Sequence, residues 1–106
     1  MVDTLERLAA VIAARKGADP ASSYTAKLMH GGADAVAKKV LEEAYEAAVA
    51  ARDGDRAHLV RELADLFYHA LVLAGLRDVG VGEITAELER REGRSGLEEK
   101  ASRGKP

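Results

Sequence analysis

Four acidic side chains draw attention by their spacing: Glu43 and Glu46 lie three residues apart, and so do Glu62 and Asp65. Residues three apart share a helix face. Take Glu43 as zero on a wheel advancing about 100° per residue. Val36, Val40 and Ala47 then fall within about 60° on one side, and Lys39, Ala50 and Glu46 within about 60° on the other. These acids interrupt an apolar stripe instead of facing away from it, while Glu42 falls about 100° off, at its edge. The second pair repeats the anomaly. Glu62 borders Leu66 and Leu73 in an arc that also holds Leu59, Leu63, Phe67, Ala70, Leu71 and Ala74, and Asp65 lies beside Glu62.

Between the pairs stands Asp53-Gly54-Asp55, a connection short enough to force an antiparallel helical hairpin. Folding at Gly54 sets Glu46 opposite Glu62 and Glu43 opposite Asp65, at levels roughly 12 and 16 Å from the turn. Four carboxylates in a partly dry volume repel, and burying even one alone costs several kcal/mol. Either their pKa values rise until some are neutral, or cations occupy the site. All-oxygen ligands favour Mg²⁺, with Mn²⁺ as the alternative, over Zn²⁺. Mg²⁺ keeps waters and admits substrate phosphates, which points to nucleotide chemistry. The same spacing also suits a solvated helix face, and the chain would then be a non-catalytic helical dimerisation module. A di-iron bundle is disfavoured, because it wants Glu-x-x-His repeats and position 65 is Asp with no matching His.

The elements that must position these acids are helical. Ala, Leu, Glu, Lys and Arg dominate the 106 residues, and no stretch alternates apolar with polar for long. The pattern predicts helices over about Thr4 to Lys16, with Asp3 to cap it and Gly17 to stop it, then Tyr24 to His30, Asp34 to Arg52, Asp55 to Leu76 and Glu83 to Arg91. Residues 1–92 read as one all-α domain and 93–106 as a mobile, polar C-terminal tail. Lys and Arg number 16 against 18 Asp and Glu, a net charge of −2 that offers nucleic acid no electrostatic footprint. No apolar run is long enough to span a bilayer, and Met1 to Glu6 lacks the pattern of a signal peptide, so the expected location is cytoplasmic. With no cysteine, thiol chemistry and Cys-ligated metals are excluded.

A compact monomer of this length has a radius of gyration of roughly 13 Å. The helix from Asp55 to Leu76 is apolar on an arc reaching Val60, Phe67 and Leu71, away from Glu62, and one short helix at each end cannot cover both arcs. The expected fold is therefore an antiparallel hairpin with flanking helices, assembling as a homodimer into a four-helix-type bundle, with the site completed by the partner chain.

The run Lys38-Lys39-Val40-Leu41-Glu42-Glu43-Ala44-Tyr45-Glu46, followed by Glu62-Leu63-Ala64-Asp65-Leu66-Phe67-Tyr68-His69, resembles the MazG-like all-α nucleotide pyrophosphohydrolases, whose Glu-Glu-x-x-Glu and Glu-x-x-Asp signature holds Mg²⁺. Ser23-Tyr24-Thr25-Ala26-Lys27-Leu28 and Gly96-Leu97-Glu98-Glu99-Lys100-Ala101-Ser102-Arg103 narrow the resemblance to the phosphoribosyl-ATP pyrophosphatase family. Leu41 stands where many members have Gly, and Tyr45 where a smaller residue is common; neither change removes a ligand. The resemblance implies hydrolysis of 1-(5-phosphoribosyl)-ATP to 1-(5-phosphoribosyl)-AMP and pyrophosphate, the second step of histidine biosynthesis. A housecleaning nucleoside-triphosphate pyrophosphatase is the nearest enzymatic rival.

On that resemblance Glu43, Glu46, Glu62 and Asp65 hold the cation, and Glu42 serves as an outer acid, an additional ligand or a base. Lys27, Lys38 and Lys39 are the nearest cations for substrate phosphate. Lys39 shares the acidic face, whereas Lys38 is expected to face solvent. Lys100, Ser102 and Arg103 would close over phosphates on the strength of the resemblance alone; their composition otherwise reads as solvated tail. His69 lies on the face of Glu62, where a structural hydrogen-bonded role outweighs phosphate binding. His58 and His30 sit near helix ends, where surface roles are the default. Tyr68 is expected to pack or to contact a partner, and Tyr24 either to stack on adenine or to plug a helix start.

Overall fold

The computed structural model describes residues 3–93 and 96–103, and every regular element among them is helical. In chain order these are α1 (Asp3–Arg15), α2 (Tyr24–His30), α3 (Gly32–Asp53), α4 (Arg56–Gly75), α5 (Val81–Arg90) and α6 (Gly96–Arg103). The all-α expectation holds, and the helix ends shift by a residue or two from the sequence pattern. Asp3, expected to cap α1, lies within it. The segment expected as tail carries α6, whose Glu, Lys, Ala and Arg are strong helix formers.

The α3–α4 hairpin is the spine. Gly54 ends α3 with φ 75°, the left-handed conformation that a side chain would strain, and the next residue already caps α4. The Asp55 carboxylate accepts from the backbone N–H of His58 at 3.1 Å, satisfying a donor that the first turn leaves open. Ser23 does the same for α2, accepting from Ala26 N–H at 3.1 Å.

Helices α1 and α2 pack on the far end of this hairpin. Ile12, Leu28, Met29, Val36 and Val72 form the buried core, with Leu8, Val40, Tyr68, Leu71 and Leu76 packed against it. Gly75 permits the approach: a Cβ there would come within 3.2 Å of Ile12 and 3.3 Å of Met29. Lys16 ties the end of α1 to that of α4, its ammonium donating to the Gly75 carbonyl at 3.1 Å and pairing with Asp78 at 3.0 Å.

One face of the hairpin, running from the turn past its middle, has no such cover. Both buried residues of α4, His69 and Val72, lie in its C-terminal half. Val60 and Phe67 remain 66% and 51% exposed, and on α3 Leu41 and Tyr45 remain 70% and 67% exposed. Leu71, expected on the same bare arc as Val60 and Phe67, instead packs against the core, because α1 and α2 reach that level of α4. The molecule is correspondingly open. Its radius of gyration is 15.8 Å, against roughly 13 Å for a compact chain of this length.

Candidate metal centre

The hairpin register brings the acids together as two overlapping groups, not one set of four. Carboxylate oxygens of Glu43, Glu62 and Asp65 lie within 4.8 Å of one another, and so do oxygens of Glu46 and Glu62 with a ring nitrogen of His58. Glu62 belongs to both. The sequence pattern embeds all four acids in apolar stripes, but only Glu43 and Glu62 are half-buried; Glu46 and Asp65 are exposed. α3 and α4 shield each other along the hairpin, while the buried core that α1 and α2 complete lies toward its far end.

Glu62 carries the tension of the site. One of its oxygens, Oε1, is buried and finds no hydrogen-bond partner among the described residues. With both carboxylates ionised, a buried oxygen without a donor is costly, and a proton kept on the neighbouring Glu43 is the donor that can relieve it. Beside it, Glu43 is pushed up from the ordinary 4.5 to about 7. The causes are first a proton shared with Glu62, then burial, then repulsion from Glu62 and Asp65, opposed by Lys39. An orphaned oxygen next to a carboxyl that retains its proton is the donor set of a hard dication, with the proton as its stand-in. The residues therefore fit Mg²⁺.

A pH dependence follows. The unfolded chain ionises Glu43 near its ordinary 4.5, whereas the folded, metal-free protein keeps that proton up to about 7. Its contribution to stability is therefore complete below the unfolded value and is lost as pH rises through the folded one. Urea denaturation in EDTA is expected to show Glu43 favouring the folded state more at about pH 5 than at about pH 8. The loss should flatten in Glu43→Gln. An equal slope in both proteins would show that Glu43 does not hold the proton.

The remaining candidates scatter. Glu42 turns to the flank of α3, where its carboxylate pairs with Lys39 at 3.3 Å. That bond is the main reason the Lys39 ammonium is held above its usual value, with Tyr24 and Glu43 adding to it. Lys38 is exposed, as expected. Lys27 lines an open cleft with Tyr24, Ser23 and His30. Lys100 and Arg103 are exposed on α6, and none of the described core residues comes from that helix; the side chain of Ser102 lies outside the described residues.

His69 is structural and buried. Its Nδ1–H donates to the Asp65 carbonyl at 2.8 Å, which leaves Nε2, 3.2 Å from the Tyr24 hydroxyl, to accept. Tyr68 hydrogen-bonds Thr25 and stacks near Tyr24, with ring centroids 6.4 Å apart, so its role is packing. Through these contacts α2 holds the α4 segment that carries Asp65. His58, given a surface role by default in the sequence, has its Nε2 3.3 Å from Glu62. Its four-residue spacing from Glu62 was the available signal.

The family model of phosphoribosyl-ATP pyrophosphohydrolase matches residues 5–92. Among curated proteins, the chain is similar to the phosphoribosyl-ATP pyrophosphatase of Cereibacter sphaeroides, 57% identical over 103 residues that cover 97% of this chain and 100% of that one. It is also similar to the protein of the same name in Dinoroseobacter shibae, 58% identical over 96% of this chain and 100% of the relative. The Paracoccus denitrificans protein, again of that name, is 58% identical over 93% of this chain and 92% of its own length.

Proposed function

The chain belongs to the phosphoribosyl-ATP pyrophosphohydrolase family, and on that premise we propose how its residues hydrolyse 1-(5-phosphoribosyl)-ATP to 1-(5-phosphoribosyl)-AMP and pyrophosphate in histidine biosynthesis. The observation that carries the reading is the overlap of two donor groups at Glu62, with one buried oxygen left unpartnered.

Glu43, Glu62 and Asp65 hold a Mg²⁺ ion, with Glu46 beside them. When bound, the ion screens phosphate charge and lowers the pKa of a water. The chain's own groups do the rest. Water adds to phosphorus, the anhydride bond between the α- and β-phosphates breaks, and pyrophosphate leaves with the electron pair of that bond. Glu42, held by Lys39 at 3.3 Å, is the group to accept the water's proton. Lys39 reaches the same face and neutralises phosphate oxygens as charge moves onto the leaving group. Lys27 serves the substrate from the cleft it lines with Tyr24. Lys100 and Arg103 add positive charge from α6.

A second copy of the chain covers the bare face of the hairpin and closes the site, giving a homodimer. No helix among the described residues is long and apolar enough to cross a membrane, and we place the reaction in the cytoplasm.

Product analysis tests the reading. With phosphoribosyl-ATP and Mg²⁺, pyrophosphate is expected in a one-to-one ratio with phosphoribosyl-AMP, and ATP or deoxynucleoside triphosphates should turn over far more slowly. Release of orthophosphate with a diphosphate product would sink the assignment. Equal turnover of ordinary triphosphates would make the protein a housecleaning pyrophosphatase.

A further inference from the structure

We propose that His58 completes, with Glu46 and Glu62, a second cation site beside the Glu43–Glu62–Asp65 group, and that this outer site takes a first-row transition dication such as Mn²⁺ or Zn²⁺. The inference rests on the cation-dependent reading above and adds a ligand and a metal preference to it. His58 is fixed at the start of α4 by the bond from its backbone N–H to Asp55, 3.1 Å long. From there its Nε2 lies 3.3 Å from Glu62 Oε2 and 4.0 Å from Glu46 Oε1. Three groups from two helices thus converge on a volume that one ion spans.

The donor set decides the ion. An imidazole nitrogen with two carboxylates suits Mn²⁺, Zn²⁺ or Co²⁺, whereas Mg²⁺ prefers oxygen alone and gives up its waters reluctantly. The inner group, all carboxylate, has the opposite preference. Glu62 faces both groups and leaves Oε1 buried without a partner. A carboxylate placed in this way can bridge two cations, and the two sites then differ by the single nitrogen that His58 supplies. The half-exposed ring keeps the outer site open to exchange with solvent, as a replaceable ion requires.

The experiment is Mn²⁺ binding by the full chain, read from the electron paramagnetic resonance signal of free Mn²⁺ with Mg²⁺ in large excess to fill the inner group. Wild type is expected to bind one Mn²⁺ per chain under these conditions. His58→Ala and His58→Gln should weaken that binding by about tenfold or more, with helical content checked by circular dichroism. Independently of any variant, substoichiometric Mn²⁺ should broaden the ring resonances of His58 in wild type before those of His30. Equal Mn²⁺ affinity in wild type and both variants, or His58 resonances that stay sharp, would overturn the proposal. If Mg²⁺ still binds in that event, only the outer site falls. If wild type takes up no dication at all, the cation-dependent reading falls with it.

Discussion

Glu62→Gln lowers kcat for phosphoribosyl-ATP by about 10³-fold or more while helical content is unchanged. Glu62 is the carboxylate common to both donor groups, so losing its charge weakens every cation the hairpin could hold. Its neighbours serve one group each. Glu43→Gln and Asp65→Asn should also remove turnover, with Mg²⁺ affinity reduced and the outer group intact. The stability readout has the opposite sign to the activity readout. In the metal-free protein, Glu62 faces Glu43 across the hairpin and repels it unless the two share a proton. A glutamine at position 62 replaces that repulsion with an amide that can donate, so the melting temperature in EDTA should hold or rise. Near-normal turnover at saturating Mg²⁺ in any of the three variants would show that the ligand set is misassigned. A fall in metal-free melting temperature would show that Glu62 supports the fold rather than strains it.

Much of this site was legible in the sequence because two periodicities fix it. The helical period put Glu43 and Glu46, and separately Glu62 and Asp65, on single faces, and the Asp53-Gly54-Asp55 turn set the register between them. A register fixed by so short a turn leaves little freedom, and the acids do converge. The depth of each acid was not legible. A wheel shows which residues share a face but not which helix covers it, and α1 and α2 cover only the far half of the hairpin. Glu46 and Asp65 are therefore exposed where the pattern implied burial, and Leu71 is packed where the pattern left it bare. The contacts of His58 were not legible for a related reason. It stands near a helix start, where exposed histidines are commonplace, and its approach to Glu46 depends on the other helix. The helical character of Gly96–Arg103 was masked by the glycine and serine around it, which weigh against a helix although the intervening residues favour one.

Phe67→Glu converts the protein to a monomer in sedimentation and abolishes most of its activity. The chain exposes 7458 Å² of surface, whereas a compact monomer of its mass exposes about 5,700 Å². Covering a face of about 800 Å² on each of two copies, the standard size of a stable contact, removes a little under half of that excess. The apolar side chains that would be covered sit at matching levels of the hairpin. Counted from Gly54, Phe67 is level with Leu41 and Leu63 with Tyr45, and Val60 lies one turn nearer the loop. A second copy packed there would make a four-helix bundle from two hairpins, with this face as the seam. An unpaired glutamate in that seam costs several kcal/mol, and about 4 kcal/mol is a factor of about 10³ in the dissociation constant. Activity should fall with assembly, because Glu46 and Asp65 stay exposed in the single chain and only a partner can dry the site around them. Leu71→Glu separates this effect from plain misfolding. Leu71 packs against the core, so that variant should lose melting temperature even where the protein is already monomeric. Phe67→Glu should leave the monomer's own fold close to intact. A wild-type chain that sediments as a fully active monomer at assay concentration would overturn the prediction, since the bare face would then need another occupant.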